Sequence, residues 1–500
     1  MHVVYVSPEV APFAKTGGLG DVAGALPKFI QNLGHKVSVF MPFYRHARKY
    51  FGGGGAEEDV IDTGVSVSVP IAGRRPAAQI FESRLPGSAA RLYLVANDAY
   101  YDRDDLYFDH GKNADYSDNC ARFVFFARAA LEAIDAFGLR PDVIHCNDWQ
   151  TALVPVYTQT LCAGGRPASN ARTVLTIHNL AYQGLFPRDE MKLTGLDSKL
   201  FNWQELEFYG KLNCLKGGLV FSDVLSTVSR RYAEEIQTEP FGCGLDGVLR
   251  ERAGDLHGVV NGIDCAVWNP ETDGLIPATY SASDLSGKAV CKKALLDDQG
   301  LPARGGVPLV GIISRLAAQK GFDILEAALD EIMKLDVQMV VLGTGERKYH
   351  ELFEAAAAKH PGKLAVNLTF SNELAHRIEA GCDMFLMPSH YEPCGLNQLY
   401  SLKYGTVPVV RATGGLADTI VDCNADSLAD GTATGFVFRR YSPTELVVAV
   451  ERAVRAYGRP EDWSQIVANG MAQDWSWGRS AREYAGLYEE AMGKPVRQGQ

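Results

Sequence analysis

The chain has 500 residues, of which 46% are hydrophobic and 22% charged, and its formal net charge at pH 7 is −11. The composition is that of a folded protein, and the length exceeds what one hydrophobic core usually serves, so we expect two large domains. The acidic balance excludes a general nucleic-acid surface, and any phosphate ligand must therefore be held by a local cluster of cations.

The first residues and the cysteines indicate the cellular compartment of the protein. Residues 1–6 have no basic leader, and no apolar run approaches the roughly 20 residues that span a bilayer, so we expect a cytoplasmic protein without membrane contact. Ten cysteines lie scattered without a C-x-x-C pair, which predicts reduced thiols rather than disulfides or a zinc site. No acid cluster has metal-ligand spacing either, and we expect neither a metal nor a cofactor.

The first motif is Lys-Thr-Gly-Gly-Leu-Gly-Asp at residues 15–21, after a short β-rich run at 3–6. A helix pattern over 22–33 and a further strand at 36–40 complete the start of a doubly wound α/β unit. Such units bind ligands at the carboxyl ends of their strands. A lysine beside a glycine-rich turn can offer a positive charge to a phosphate there, although the turn alone is weak evidence.

Two later strands of the first half also end in polar residues. A short strand that ends at Asn147 is followed by Asp148, and a β-branched strand at 172–177 is followed by His178 and Asn179. Strand ends place these side chains at the ligand edge of the sheet. A lone histidine is more often structural than catalytic, so the pattern leaves the role of this one open.

Three further segments of the first half have less specific patterns. Residues 97–107 combine tyrosines and carboxylates, which suit a carbohydrate chain, with a solvated loop as the equal alternative. Residues 201–218 are aromatic and helical in pattern, and we place them along an acceptor groove, with core packing as the alternative. The turn-prone residues 261–264 are expected to end the first domain.

From residue 307 the alternation of strands and helices restarts, which predicts a second doubly wound unit. Arg315 and Lys320 follow its first strand, at 307–313, where two cations can reach one phosphate together. A surface salt bridge is the alternative. Residues 343–346, Gly-Thr-Gly-Glu, form a third turn on the ligand side and are weak evidence alone.

The chain is organised around the loop that follows a strand at 384–387. This loop contains Glu392, Cys394 and Gly395, and a helix pattern over 396–403 comes next. A carboxylate at a strand's carboxyl end can hold sugar hydroxyls. The alternatives are a buried loop glutamate and, for the cysteine, a small packed side chain.

The next strand, at 407–410, ends in a second glycine turn made of Thr413, Gly414 and Gly415, with a helix beginning near Leu416. Glycine allows backbone to approach a ligand, and the free N–H groups of a helix start attract an anion. An ordinary strand-to-helix turn is the alternative. Together with the preceding carboxylate, this turn suggests a ligand that has both hydroxyls and phosphate, such as a nucleotide sugar.

Several of these motifs resemble the bacterial glycogen synthase and starch synthase family, glycosyltransferase family 5. The matching stretches are KTGGLGDV from Lys15, TIHNLAYQG from Thr176, SRLAAQKG from Ser314, EPCGL from Glu392 and LKYGTVPVVRATGGLADT from Leu402. The stretch from His145 to Trp149 resembles the family's HxxDW element. Asn147 and Gln150 stand where the family usually has histidines, so the roles of those histidines do not transfer.

The resemblance implies the GT-B fold: two Rossmann-like parallel-sheet domains that face a deep cleft. They would cover residues 1–262 and 263–472, with a helix in 473–500 that crosses back to the first domain. The implied reaction transfers glucose, with retention, from ADP-glucose to the non-reducing end of an α-1,4-glucan in glycogen synthesis. These two substrates are the expected partners, with no nucleic acid and no obligatory protein partner.

The resemblance also implies roles for site residues. The catalytic set is His178, Glu392, Lys320, Arg315 and Lys15. The substrate-binding set repeats four of these and adds Gly18, Asp21, Asp148, Asn179, Cys394, Gly395, Thr413, Gly414, Gly415 and Leu416. The three cations would hold the leaving diphosphate in place of a metal, the histidine would line the donor glucose, and the glutamate would hold sugar hydroxyls. Since these residues come from both domains, we expect domain closure.

Three alternatives stay open. A neighbouring GT-B transferase would use a UDP- or GDP-sugar. A phosphorylase would need pyridoxal phosphate and, by family resemblance, a much longer chain. A non-catalytic glucan- or nucleotide-binding protein would keep the fold, but Lys15, Arg315, Lys320 and Glu392 are all present, and a decayed site should have lost some of these charges.

Overall fold

The computed structural model describes residues 1–53, 59–161 and 166–494. The chain divides into two units. Unit 1 comprises Met1–Val228, Ala233–Val259 and Trp477–Gln500, of which residues 495–500 lie outside the described residues. Unit 2 comprises Ser229–Tyr232 and Val260–Ser476.

Unit 1 is built on one large sheet, in which nine strands are found among the described residues. Their order is Leu256–Gly258, Val224–Thr227, Arg172–Ile177, Val143–Asn147, His2–Val6, Lys36–Pro42, Arg91–Ala96, Ala77–Arg84 and Ile61–Ser68. The first seven run parallel, as predicted, and the last two add an antiparallel edge. Central strands such as His2–Val6 are buried along their whole length, which is why they read as continuous apolar runs.

The helices of unit 1 cover this sheet. They are Gly18–Asn32, Arg45–Gly52, Asp98–Tyr101, Asn119–Ala136, Asp148–Thr151, Leu153–Thr160, Met191–Thr194, Cys214–Phe221, Asp246–Glu251 and Trp477–Gly493. Short 3-10 turns occupy Pro167–Asn170, Arg188–Glu190, Ser198–Leu200 and Ala253–Asp255. Helix Arg230–Glu235 begins in unit 2 and ends in unit 1.

Two segments of unit 1 differ from the sequence prediction. Residues 201–218 are not one helix: strand Glu207–Phe208 turns at Tyr209 and Gly210 into strand Lys211–Asn213, and helix begins only at Cys214. Both turn residues have positive φ, which a helix excludes. Strand Leu185–Pro187 completes this small antiparallel sheet.

The segment 97–107 also differs, because it begins with the short helix Asp98–Tyr101 and is not a loop throughout. Its Tyr101 is fully buried and donates its hydroxyl proton to the Arg122 carbonyl at 2.9 Å. That ring therefore cannot stack on a sugar. Further along, a small hairpin pairs Phe108–Asp109 with Ala114–Asp115.

The terminal helix, Trp477–Gly493, packs within unit 1. Its Tyr484 and Tyr488 are fully buried, and the Tyr488 hydroxyl lies 2.8 Å from Nδ1 of His145 on strand Val143–Asn147. After the helix, Lys494 makes an ion pair with Asp255 at 2.6 Å.

Unit 2 is built on a second sheet, whose six strands in the described chain are all parallel. Their order is Leu364–Asn367, Gln338–Leu342, Leu309–Ile313, Met384–Met387, Val407–Arg411 and Phe436–Phe438. The helices are Ser286–Asp298, Phe322–Lys334, Arg347–Lys359, Asn372–Gly381, Asn397–Lys403, Gly414–Thr419, Ala425–Ala429, Pro443–Tyr457 and Pro460–Met471, with a 3-10 turn at Ala318–Lys320. The order places the predicted ligand loops on adjacent strands.

Two further findings concern the whole described chain. No helix in residues 1–53, 59–161 and 166–494 combines the length and the apolar composition that a bilayer crossing requires. The cysteines within those ranges are free thiols, and Cys162 lies outside them.

Candidate active site

The lysine and glycine motif of unit 1 forms the start of the first helix. Gly18 is the first residue of Gly18–Asn32, so Lys15 lies just ahead of the helix on the loop after strand His2–Val6. Its Nζ is 2.7 Å from Asp21 Oδ1, and half of the lysine side chain is exposed. An exposed ion pair of this kind stabilises little and leaves the ammonium group accessible.

Glu9 holds this motif in place, and the sequence analysis did not identify it. Its carboxylate is buried and accepts the backbone N–H of Thr16 at 2.6 Å, the Thr16 hydroxyl at 2.7 Å and the Tyr107 hydroxyl at 2.8 Å. Burial raises the pKa of this carboxyl, and the donated hydrogen bonds oppose that rise. Tyr107 is distant from Glu9 in sequence, so the contact between them gives no sequence signal. The only available signal was that Glu9 lies close to the glycine motif along the chain.

His178 is a buried, neutral imidazole with an assignable tautomer. The Asn147 amide nitrogen donates to the Val6 carbonyl at 3.0 Å, which leaves Asn147 Oδ1 facing the Tyr5 hydroxyl and His178 Nε2, each at 3.0 Å. An amide oxygen only accepts, so Nε2 carries the proton and Nδ1 is the unprotonated nitrogen. Burial lowers the pKa of His178 to about 3, so the ring stays uncharged at neutral pH.

Asp148 fixes the backbone that carries His178. It adopts a left-handed conformation with φ of 53°, which aspartate tolerates better than most residues, and its Oδ1 accepts the His178 N–H at 2.7 Å. Burial raises the pKa of Asp148 to about 7, and hydrogen bonds from the backbone of His178 and Asn179 oppose the rise. The Asn179 side chain accepts the Ala181 N–H at 3.0 Å and so shapes the turn that follows.

In unit 2, Lys320 and Glu392 form a close ion pair although 72 residues separate them. The lysine Nζ lies 2.7 Å and 3.0 Å from the two carboxylate oxygens, and the Ser389 hydroxyl donates to Oε2 at 2.9 Å. The Glu392 side chain is only 7% exposed. The sequence placed both residues at strand ends of one sheet, and the structure adds that they contact each other.

Arg315 lies on the same side, on the loop after Leu309–Ile313. Its side chain is exposed, and Nη2 makes a long hydrogen bond of 3.4 Å to Gln319 Oε1. Arg315 and Lys320 are the two cations expected to hold one phosphate. The guanidinium of Arg315 is accessible, whereas the ammonium of Lys320 is already bonded to Glu392.

The glycine turn after Val407–Arg411 packs against the Glu392 loop. The Gly415 N–H donates to the carbonyls of Glu392 at 3.1 Å and Pro393 at 3.2 Å, and the Leu416 N–H donates to the Thr413 carbonyl at 3.1 Å. The prediction of free N–H groups at these two positions is therefore wrong, because protein carbonyls occupy them.

The same turn explains why glycines stand there. A β-carbon on Gly414 would overlap with the Glu392 carbonyl oxygen, and one on Gly415 would overlap with that of Cys394. The close approach that these glycines allow is between two segments of the protein's own backbone. The turn thus fixes the position of the Glu392 loop.

Cys394 and Gly395 complete that loop. The thiol of Cys394 is buried, and burial raises its pKa to about 12, so it is neutral and suits the packed-residue interpretation. Gly395 has a φ of 74°, and the Gln398 amide donates to the carbonyls of Cys394 at 3.0 Å and Gly395 at 3.1 Å. These bonds leave the loop little freedom.

Phe370 is a second feature that the sequence analysis missed. It follows the edge strand Leu364–Asn367 and is 86% exposed. Its position after a strand end was the available signal.

As for metals, no three His, Cys, Asp or Glu side chains are grouped to hold an ion in the part of the chain that the structure describes.

Comparison with known proteins identifies the family of the chain. Residues 2–251 match the family described as starch synthase catalytic domain, and residues 296–469 match glycosyl transferases group 1. A glycogen synthase of Anaeromyxobacter sp. (strain Fw109-5) is 47% identical over 98% of this chain and 99% of its own. A glycogen synthase of Koribacter versatilis (strain Ellin345) is 45% identical over 98% of each chain.

A solved structure is similar over the same extent. The catalytic domain of starch synthase IV from Arabidopsis thaliana, bound to ADP and acarbose, has a TM-score of 0.89 and 33% identity, with 99% of both chains covered. The predicted GT-B fold and family are thereby confirmed. The chain belongs to the glycogen synthase and starch synthase family, and it is a glucosyltransferase of glycogen synthesis.

Proposed function

We propose that the donor is ADP-glucose and that the acceptor is an α-1,4-glucan, which receives glucose at its non-reducing end with retention of configuration. The likeness to starch synthase IV, which was solved with ADP and acarbose, supports both choices. The observation that carries the proposal is the Lys320–Glu392 pair at the carboxyl ends of adjacent parallel strands. The exposed Arg315 follows the same strand as Lys320.

The leaving diphosphate is the group that the cations stabilise. As the bond between glucose C1 and the diphosphate breaks, negative charge concentrates on the phosphates, and Lys15, Arg315 and Lys320 supply fixed positive charge. Loss of one such preorganised group typically costs roughly 10²–10³ in turnover. Asp21 pairs with Lys15 and so positions it, and Gly18, at the helix start, contacts the diphosphate. The turn from Thr413 to Leu416 positions the Glu392 loop.

The reaction balances without a further reactant. The acceptor O4 forms a bond to glucose C1 on the face that the diphosphate leaves, and the departing phosphate takes the proton of that hydroxyl. Glu392 and the backbone of Cys394 and Gly395 hold donor hydroxyls. His178 lines the sugar as a neutral ring, with Asp148 and Asn179 fixing its backbone.

The exposed ring of Phe370 provides a flat apolar surface at the edge of the unit 2 sheet. A nucleobase can stack on such a face. We assign it to the adenine, and replacement by alanine should raise KM for the donor while kcat changes less.

The first test is incorporation of labelled glucose into glycogen by the purified protein with EDTA present. ADP-glucose and UDP-glucose are compared at equal concentrations. Incorporation from ADP-glucose alone is expected. A preference for UDP-glucose would overturn the donor assignment, and no transfer from either would overturn the proposed reaction.

The second test concerns the site. Lys320→Ala and Glu392→Ala should each lower turnover by about two orders of magnitude while the chain stays folded. Lys334→Ala is the matched control, because Lys334 pairs with Glu331 at 2.6 Å on the exposed face of a helix. Activity near the parent value in both site variants would contradict the assignment.

A further inference from the structure

A buried asparagine contacts the candidate site histidine from behind. Asn147 ends strand Val143–Asn147, at one of the two positions where the family usually has a histidine, and its side chain is fully buried. Its Oδ1 lies 3.0 Å from both the Tyr5 hydroxyl and His178 Nε2. An amide does not titrate, and its two ends differ, since the nitrogen only donates and the oxygen only accepts. Asn147 can therefore fix the position of a proton on the neighbouring imidazole.

The orientation of the Asn147 amide is set from both of its ends. The nitrogen donates to the Val6 carbonyl at 3.0 Å, and a carbonyl can only accept. Burial raises the pKa of Tyr5, so the Tyr5 hydroxyl keeps its proton and donates to Oδ1. Both partners lie on the central strand His2–Val6, which pairs in register with Val143–Asn147. A rotated amide would lose both hydrogen bonds.

The fixed amide determines which nitrogen of His178 is open to a ligand. Because Oδ1 of Asn147 only accepts, Nε2 carries the proton of the neutral ring and Nδ1 has a free lone pair. The described part of the chain offers Nδ1 no hydrogen-bond partner, and this atom is not fully enclosed by protein. His178 therefore presents an acceptor, and not a donor, to whatever occupies the site.

A second buried histidine holds Tyr5 in place. Nδ1 of His145 lies 2.8 Å from the Tyr488 hydroxyl on the terminal helix, and Nε2 lies 2.6 Å from Thr176 Oγ1 on the neighbouring strand. The Tyr5 ring packs edge-on against the His145 ring, with 4.7 Å between the ring centroids. Tyr5 has little freedom to move away from Asn147, so the acceptor end of the amide stays directed at the site.

We propose that Asn147 is a positioning residue that keeps Nδ1 of His178 as a hydrogen-bond acceptor for a hydroxyl of the donor sugar. The inference rests on the proposed function, in which His178 lines the donor glucose. A neutral ring with a free Nδ1 lone pair accepts a sugar hydroxyl. An imidazolium would instead present an N–H and a positive charge beside a glucose that itself becomes positive as the diphosphate leaves.

Other titratable groups surround His178 and enter the design of the test. Asp148 accepts the His178 N–H at 2.7 Å, His145 and Tyr5 lie on the two strands beside it, and Glu9 acts on Asp148. Burial raises the pKa of Asp148 to about 7, so this carboxyl titrates within the range to be measured. The readout is therefore the ratio of variant to parent activity at each pH.

The first test is Asn147→Asp, which replaces the amide by a carboxylate of nearly the same shape. A carboxylate beside Nε2 favours the imidazolium and should raise the pKa of His178 above its ordinary 6.5, so that Nδ1 also carries a proton at pH 6. We expect kcat with ADP-glucose to be at least about tenfold below the parent at pH 6. The ratio should recover as the pH rises to 9, because the ring loses that proton.

Two further variants separate protonation from packing. Asn147→Ala removes the acceptor without adding a charge, so it should lower kcat by a ratio that does not change with pH. Asn119→Asp is the matched control, because Asn119 is 3% exposed, donates to the Tyr107 carbonyl at 3.0 Å and accepts from Arg122 Nη1 at 2.7 Å. Its carboxylate would face an arginine and no imidazole, so its ratio should also be independent of pH.

The second measurement observes the proton directly, without substrate. Nitrogen-15 spectra of chain labelled at histidine distinguish protonated from unprotonated ring nitrogens, and the His178 signals are those that disappear in His178→Gln. The parent should have a protonated Nε2 and an unprotonated Nδ1 from pH 6 to 9. In Asn147→Asp both nitrogens should be protonated at pH 6. The parent spectrum tests the assignment even if a variant does not fold.

The remaining outcomes overturn the proposal. A parent with its proton on Nδ1, or a neutral His178 in Asn147→Asp at pH 6, would show that residue 147 does not set the protonation of the ring. A doubly protonated ring with a ratio independent of pH would remove the acceptor role of Nδ1. Each of these leaves the proposed function intact if the parent transfers glucose. A parent that transfers none overturns both.

Discussion

At the scale of single residues, Lys320 and Glu392 each depend on the other. The glutamate side chain is 7% exposed and the lysine side chain 24%, so neither charge is well hydrated. A buried pair gives little net stability, but loss of one partner leaves the other charge uncompensated. The losses in free energy of unfolding caused by substituting Lys320 and by substituting Glu392 should therefore not add.

We predict that Lys320→Met lowers the free energy of unfolding by about 3 kcal/mol. The double variant Lys320→Met, Glu392→Gln should regain most of that loss, because no buried charge remains. Urea unfolding of the parent, both single variants and the double variant measures the coupling. Losses that simply add would show that the two groups do not stabilise each other.

The burial of His178 predicts a pH dependence of stability. Its pKa is about 3 in the folded chain and ordinarily 6.5, so below pH 6.5 the unfolded chain binds a proton that the folded chain does not. Stability from this residue is complete above pH 6.5 and falls as the pH decreases toward 3, by about 1.4 kcal/mol per pH unit. His145, whose pKa is also lowered to about 3 by burial, adds a second contribution of the same sign.

His178→Gln should remove one of these two contributions. Urea unfolding at several pH values between 6.5 and 4 measures the slope for parent and variant. The variant slope should be smaller by about 1.4 kcal/mol per pH unit, since glutamine does not titrate. Equal slopes would mean that His178 keeps an ordinary pKa in the folded chain.

At the scale of elements, the strand and helix pattern was more predictable than the contacts of the site. Strands Met384–Met387 and Arg172–Ile177 lie where their residue patterns predicted them, because both are almost entirely buried. The stretch 201–218 was misread as helix, since its hairpin depends on a tyrosine with positive φ that no pattern indicates.

The side-chain contacts of the site were harder to predict from the sequence. The family motifs identified Lys320 and Glu392, but the bond between them joins positions 72 residues apart. Glu9 binds Tyr107, which is 98 residues away. Such pairs arise from strand order, and strand order is set by the packing of the whole sheet and not by local propensity.

The glycine turn at the end of Val407–Arg411 gives a prediction for an element. A β-carbon on Gly415 would overlap with the Cys394 carbonyl oxygen, so Gly415→Ala must displace the Glu392 loop. We expect a stability loss of about 1–3 kcal/mol and a larger fall in kcat than the loss of stability explains. Thermal unfolding measures the stability loss, and the glucose incorporation assay measures the fall in kcat.

Gly274→Ala is the matched control for this change. Gly274 also lies in unit 2, and no heavy atom would lie within 4 Å of an added β-carbon there. It should differ little from the parent in both measurements. Full activity in Gly415→Ala would show that the turn does not position the loop.

At the scale of the whole molecule, the residues proposed to act on the donor are divided between the two units. Lys15 and His178 belong to unit 1, while Arg315, Lys320 and Glu392 belong to unit 2. The protein has a net charge of −11, so a nucleoside diphosphate can bind only where cations are concentrated. If both sets of residues bind one donor, the bound ligand must reduce local unfolding, and with it amide hydrogen exchange, in both units.

We predict that ADP slows amide hydrogen exchange at residues 16–19 of unit 1 and in the loop after Leu309–Ile313 of unit 2. The edge strand Ile61–Ser68 should be unaffected and serves as the internal control, because three strands separate it from strand His2–Val6 in the order of its sheet. Lys15→Ala should abolish the protection at residues 16–19 while the loop of unit 2 remains protected, since Arg315 and Lys320 still bind the diphosphate. Protection confined to unit 2 in the parent would contradict the contribution of Lys15 and limit the diphosphate site to the second unit.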